Sequence, residues 1–377
     1  MNSIKCDLSN YDSFTEWKGK LLTNLLQNQK NYPSCNKVWE HLADIVDSGD
    51  GSIYHVEGEG SITAFRWPNG EYKHVALIED EIVGENSFWL KQYPFLRYDA
   101  RTNKYMLKIN VLEHKRITQN DCNLTIISHN AHYGHFIADD LPRLYSGLLN
   151  NKSIPMATPS SSAPFFASRE LKRRKVNFRI LSDTVHEANQ CISYQGRVIH
   201  TYITDWVVKS LIVRKAIFSI PQEKNVSKKE KQISSASEKF IFVKRSRKFG
   251  SRIANLQEIE EFLERIGFNT VCLDELSLTD CKELFSRCKL AITESGSTTL
   301  STAISLKSEA RLISLQPRRL FAEPTHEMLY GGLPYTLFYH PNITILLGDE
   351  VRHSHVQSSA SCTFQTKELA RLIGIFY

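Results

Sequence analysis

Residues 238–246 read EKFIFVKRS, and the chain continues NLQEIEEFLERIGF (255–268), NTVCLDEL (269–276), SLTDCKELFSRCK (277–289), LAITES (290–295), GSTTLSTAISL (296–306) and ARLISLQP (310–317). The first of these alternates apolar residues as a strand does. In the second, Leu256, Ile259, Phe262, Leu263 and Ile266 share one helical face, and Gly267 supplies the stop. Ser277 is a natural N-cap for the middle helix, with Asp280 three residues on. Strands alternating with helices of this length need crossover connections, which predicts βαβ units and a parallel sheet covered on both faces. Ligands of such sheets bind beyond the carboxyl ends of the strands, where KRSRKFGSR (244–252) and ESGST (294–298) fall.

Outward from that stretch the pattern is less regular. Residues 52–110 look β-rich, with SIYHVEGEGSITAFRW (52–67) and KYMLKINVLEH (104–114) as strands and PNGEY (68–72) as a turn. NLTIIS (123–128), NFRILSD (177–183) and GRVIHTYIT (196–204) read as further strands. PQEKNVSKKEKQISSASE (221–238) is polar and lysine-rich, and it cannot bury a core face, so it is the expected linker. The expectation is an α/β protein in three parts. Residues 1–120 form a β-rich N-terminal segment packed on the first lobe, 121–225 the first α/β lobe, and 236–377 a second, Rossmann-like lobe across a cleft.

The chain has 377 residues, long enough for two domains. Its 41 % hydrophobic and 23 % charged residues are those of a folded globular protein. A net charge of +6 permits anionic ligands but is too mild to argue for nucleic acid. The eight cysteines form no CxxC pair, and several lie in or beside apolar runs, which suits a reducing compartment. MNSIKCDLSN (1–10) lacks the basic-then-apolar pattern of a signal segment. Apolar runs such as VVKSLIVRKAIFSI (207–220) are interrupted by charge and too short to span a bilayer. A soluble, cytoplasmic protein is expected.

Three short constellations carry chemistry. The first is SHNAHYGHFIADDLPRL (128–144). On a helix His135 and Asp139 leave one face a turn apart, and a carboxylate beside an imidazole orients it and raises its proton affinity, as a general base requires. Pro142 either kinks that helix or sits in the first turn of a fresh one. The plain alternative is that His135 bonds nearby backbone and Asp139 or Asp140 caps a helix. His129, His132 and His135 have a spacing that suits no common helical zinc pattern. Ile137, Leu141, Leu144 and Leu148 form one buried stripe.

The second constellation places Arg245 after a strand, Arg252 a loop later and Asn255 at a helix start. Arginine forks match diphosphate oxygens, and helix N-termini add N–H donors and a positive dipole end. The alternative is a solvated basic loop. In the third, a strand runs into Gly296, Ser297, Thr298 and Thr299, small and hydroxylated residues that let a ligand approach the backbone. Here the alternative is N-capping by Ser295 or Ser297. A hydrolase elbow at Ser295, with Asp349 and His353, lacks the first glycine of its motif.

Taken together, YGHFIADDLPRL (133–144), FVKRS (242–246), the run from Ser251 to Ser305 and MLYGGLPYTLF (328–338) resemble the glycosyltransferase family 61 domain over roughly residues 124–340. The resemblance implies a GT-B-like fold, two Rossmann-like domains facing across a cleft, with 121–225 on the acceptor side and 236–377 binding a nucleotide sugar. It implies inverting transfer without a bound metal or other cofactor, from a donor expected to be a UDP-sugar. The acceptor would be a glycan or lipid-linked saccharide, as in capsular polysaccharide synthesis by bacterial members. Peripheral contact with the cytoplasmic face of the inner membrane would follow, with no nucleic-acid partner.

Residue by residue, His135, Asp139, Pro142 and Arg143 match the family's first motif, Arg245, Arg252 and Asn255 the second, and Gly296 the glycine of the third. His135 and Asp139 are the implied catalytic pair. Arg143, Arg245, Arg252, Asn255, Gly296, Ser297 and Thr298 are the implied substrate contacts. The chain departs from the family at Ser295, where histidine is usual, at Ser297, where alanine is usual, and at Gln257, where an acidic residue is frequent. Alternatives are a pyruvyl- or glycerophospho-type transferase and a non-catalytic glycan- or nucleotide-binding relative.

Overall fold

The structure, a computed structural model, describes residues 2–7, 12–66, 72–78, 81–83, 96–99, 101, 104–107, 113–125, 136–149, 156–157, 179–180, 190–203, 205–218, 239–245, 250–273, 276, 278–321, 334–352 and 361–374. In chain order the first half holds strand β1 (Asn2–Asp7), helices α1 (Asp12–Asn31) and α2 (Asn36–Asp47), and strands β2 (Ser52–Arg66), β3 (Tyr72–Ile78), β4 (Glu81–Val83), β5 (Leu96–Asp99), β6 (Lys104–Leu107) and β7 (Glu113–Thr125). Helix α3 (Leu141–Leu149) follows, then β8 (Met156–Ala157), β9 (Arg179–Ile180) and β10 (Gln190–Tyr202). The second half holds α4 (Trp206–Phe218), β11 (Phe240–Lys244), α5 (Leu256–Arg265), β12 (Asn269–Cys272), α6 (Leu278–Phe285) and β13 (Leu290–Glu294). It ends with α7 (Ser297–Ser305), β14 (Arg311–Pro317), β15 (Ile343–Arg352), β16 (Ser361–Thr363) and α8 (Thr366–Ile373).

The mixed α/β chain divides into two compact units, Met1–Leu8 with Ser52–Thr204, and Ser9–Gly51 with Asp205–Tyr377. The first is built on a curled six-stranded sheet of order β4-β3-β2-β10-β7, with β1 also on β2. Strand β2 is 15 residues long, and β10 pairs with it from Tyr54 to Phe65. Its other edge is shared, β1 taking Ser52–Glu57 and β3 taking Gly60–Arg66. Gly60 faces Gly196 across the β2–β10 pair, a point without side chains where a long sheet can bend.

The expected Rossmann-like first lobe is not what these strands make. Within this sheet every described pair is antiparallel except β10 with β7. The reason is connection length: β2 and β3 are joined by a short hairpin around the expected PNGEY turn, whose interior lies outside the described residues. The parallel β7–β10 pair instead has the long crossover that parallel pairing demands, and α3 lies within it.

The second unit has a sheet of order β12-β11-β13-β14-β15-β16, parallel from β12 to β15 and closed by antiparallel β16. Counted in chain order within the unit, this is 2-1-3-4-5-6, a doubly wound arrangement. The parallel sheet read from 238–317 is therefore present, with β13 buried at all five positions. One face packs Phe242, Ile292, Ile313 and Leu315 under Ile259, Phe262 and Leu263 of α5 and Leu369 of α8. On the other side lies α4, buried on nearly every side; it is the interrupted apolar run noted in the sequence, and it is a core helix.

The division differs from the expected 1–120, 121–225 and 236–377. Residues 9–51 belong to the second unit, and α4 joins it too. The physical cause is the edge of β15. Asn28 of α1 donates from Nδ2 to Ile343 O and accepts the Ile345 N–H on Oδ1, each at 2.9 Å. Tyr32 Oη accepts the Leu347 N–H at 3.3 Å. Alternate residues of an otherwise open strand edge are thus satisfied by side chains, as an edge requires. The expected linker 221–238 lies outside the described residues, and it connects α4 to β11 inside one unit. Among the described residues no helix is long and apolar enough to cross a membrane.

Candidate functional site

Strands β11 and β13 are neighbours, paired from Phe240–Leu290 to Val243–Thr293. The chain leaves β11 towards β12 and leaves β13 towards β14, so strand order reverses between them, and in such sheets ligands bind outside the carboxyl ends of the strands at that point. Arg245 and Arg252 follow β11, and Gly296 follows β13.

Glu294 ends β13 and is fully buried. A buried carboxylate must be hydrogen-bonded to persist. Its Oε1 accepts the Arg245 N–H at 3.0 Å, and its Oε2 accepts the Arg252 N–H at 3.0 Å and the Ser251 hydroxyl at 2.9 Å. Both ends of the loop 245–252 are therefore tied to one side chain. Ser251 Oγ in turn accepts the Ile253 N–H at 2.9 Å.

Arg252 is held on its other flank. Its carbonyl accepts the Cys362 N–H at 2.9 Å, and Ala254 N–H donates to Cys362 O at 2.7 Å. Its Nη1 donates to Ser295 O at 3.2 Å and to Ser295 Oγ at 3.3 Å. Its Nε is buried without a partner among the described residues. Burial pushes this guanidinium down to about 10; the positive Arg245 adds to the shift, while Glu294 and Cys362 oppose it.

Gly296 has φ +124°, a conformation open to glycine, and a Cβ there would stand 3.2 Å from Arg252 Nη1. Helix α7 starts immediately after it. The first turn is braced from below: Thr298 and Thr299 hydroxyls donate to Glu294 O at 3.0 and 2.9 Å, and Thr299 also meets Thr293 at 3.0 Å and Ser314 at 3.2 Å. Ser297 is exposed at the helix start. The N–H groups of a first turn have no intrahelical acceptor and lie at the positive end of the helix dipole.

The structure thus brings Arg245, Arg252, Gly296, Ser297 and Thr298 together. Asn255 is near them in sequence but engaged elsewhere: Nδ2 donates to Phe364 O and Glu258 Oε2, both at 3.0 Å, and Oδ1 accepts the Phe364 N–H at 3.1 Å. Both amide hydrogens are used within the fold, so Asn255 locks the C-terminal strand rather than pointing donors at a ligand. Thr298 likewise directs its hydroxyl to the backbone.

The first constellation lies in the other unit. Residues 136–140 form a wide π-helical turn, and a new helix, α3, starts at Leu141 with Pro142 in its first turn. Ile137, Leu141 and Leu144 are buried, as the stripe predicts. Arg143 is buried and pairs with Asp140, Nη1 to Oδ1, at 3.9 Å. His129, His132, His135 and the Asp139 side chain lie outside the described residues, as do Ser277, His353 and the Leu148 side chain.

Reading the sequence missed Glu294, Ser251 and the C-terminal segment 361–364. One signal was present: a lone acidic residue closing an apolar five-residue strand is a buried charge that needs partners. No curated protein matches the chain. The family model Glycosyltransferase 61 matches residues 133–313, a span that opens before the π-helical turn, contains the switch point at β11 and β13, and closes in β14. The motifs, their order and that match agree: residues 133–313 are similar to the glycosyltransferase family 61 domain, which supports a glycosyltransferase.

Proposed function

We propose that this glycosyltransferase moves a sugar from a nucleotide-sugar donor, a UDP-sugar first of all, to a glycan or lipid-linked saccharide, with inversion and without a metal. The second unit, with its doubly wound sheet, acts as the donor lobe, and the first unit as the acceptor lobe. The supporting observation is the switch point between β11 and β13. There two guanidinium groups, neither with an acidic side-chain partner among the described residues, accompany a glycine-led helix start. That set of donors and charges suits a diphosphate.

The acceptor hydroxyl oxygen bonds the anomeric carbon as the carbon–oxygen bond to the diphosphate breaks, its electron pair leaving on the phosphate. Arg245, Arg252 and the first turn of α7 stabilise that charge where it develops. Asp139 or His135, the family's implied pair, takes the hydroxyl proton. The resemblance to bacterial members supports a role in capsular polysaccharide synthesis, at the cytoplasmic face of the membrane.

Calorimetric titration with nucleoside diphosphates, in chelator, tests the donor half. Wild type is expected to bind at least one, and Arg252→Ala about 10- to 100-fold more weakly, the worth of a charged hydrogen bond. A wild type that binds none, or a variant with undiminished affinity, rules the assignment out.

A further inference from the structure

The geometry points to Glu294 as the positioning residue of the diphosphate clamp, an inference that rests on the donor site proposed above. Its carboxylate is buried, yet it pairs with neither arginine side chain. Its three donors are the Arg245 N–H, the Arg252 N–H and the Ser251 hydroxyl, all from the loop 245–252. One oxygen holds the start of the loop and the other its end. Arg245 and Arg252 are thereby fixed at their backbones, while neither guanidinium group is spent on the Glu294 carboxylate.

Gly296 completes the arrangement from the far side, because the space a Cβ would fill lies against Arg252 Nη1. The last residue of β13 and the two that follow it therefore supply three successive parts. Glu294 sets the two ends of the loop, Ser295 accepts from Arg252 Nη1, and Gly296 leaves room for that nitrogen and precedes α7. Glu294 acts through the arginines and does not itself touch the donor.

Two views of Glu294 predict opposite signs. If its charge alone mattered, removing it would leave two cations and an unopposed attraction for phosphate, so Glu294→Gln would bind diphosphate more tightly. If it positions the loop, the amide NH₂ faces a backbone N–H, donor against donor, and one end of the loop is released. Glu294→Gln should then bind a nucleoside diphosphate about tenfold or more weakly. Affinity for the matching nucleoside, which carries no phosphate, should be unchanged.

The experiment measures both affinities by calorimetry on the full chain, with tryptic cleavage rates at residues 244–252 of the unliganded protein beside them. Weaker diphosphate binding, unchanged nucleoside binding and faster cleavage are expected. Equal or tighter diphosphate binding overturns the inference. Ser251→Ala keeps every charge and removes one donor, so it serves if Glu294→Gln does not fold. It should lose a few-fold in diphosphate affinity (about 0.5–1.5 kcal/mol for a neutral hydrogen bond), and an unchanged affinity overturns the inference. Should wild type bind no nucleoside diphosphate, the donor reading fails. The cleavage rates then decide the role of Glu294 separately, and equal rates in variant and wild type refute it.

Discussion

His340 is fully buried in the second unit, with both ring nitrogens occupied. Asn342 N–H donates to Nδ1 at 3.1 Å, so the proton sits on Nε2, which is 3.0 Å from Lys307 O. Protonating Nδ1 would set hydrogen against hydrogen. Burial, and then the Arg214 charge, push this imidazole down to about 3 from 6.5. A depressed value means the unfolded chain takes up a proton that the folded chain refuses. The stability contribution is therefore complete above pH 6.5 and is lost as pH falls from 6.5 towards 3. His340→Gln should be less stable at neutral pH but show a shallower decline across that window in denaturant titrations. A slope as steep as wild type would show that another group governs acid sensitivity.

Helix α7 shows what one element owes to each of its ends. At its end Arg214 donates to Ala303 O at 2.7 Å and Leu306 O at 2.8 Å, with its guanidinium carbon 4.9 Å from the Trp17 ring centre. A cation on the last carbonyls satisfies them and opposes the negative end of the dipole. At its start Gly296→Ala would force a side chain into a positive-φ conformation and onto Arg252. The expected cost is about 1–3 kcal/mol of stability, with weakened diphosphate binding. Chemical denaturation checks the first and calorimetry the second, and an unstrained alanine variant with full affinity would contradict both.

Elements β11 to β14 were legible because their signals are local: apolar alternation, a 3.6-residue stripe in α5, and the stop at Gly267. The expectation of a β-rich 1–120 missed helices α1 and α2, although Phe14, Trp17, Leu21 and Leu25 of α1 carry a local apolar spacing; the destination of that face is not local at all. Asn28 finds its partners on β15, 315 residues away. Glu294 was unreadable for another reason, since its partners are mostly backbone N–H groups, which leave no trace in side-chain identity. In the first unit alternation located strands but could not say which run parallel.

At the scale of the molecule, the chain passes between its units after Leu8, Gly51 and Thr204. The last two passages are linked: Asp205 caps α4 through the Val207 N–H at 2.7 Å and accepts the Gly51 N–H at 2.9 Å. Helices α1 and α2 bury Phe14, Trp17, Leu21, Leu25, Val38, Trp39, Leu42 and Val46. At roughly 1.5–3 kcal/mol each, their gross contribution exceeds the ~5–15 kcal/mol net stability of a typical domain. Residues 205–377 expressed alone should therefore show no cooperative thermal transition, and fusing 9–51 through a flexible linker should restore one. A cooperative transition in the bare fragment would refute this dependence. Because α1 fills the open edge of β15, synthesis imposes a wait. At about 5–20 residues per second, the ribosome releases this helix some tens of seconds before the strand it must cover. Through that interval an oily helical face has nowhere to go, which makes the nascent chain a natural client for a chaperone.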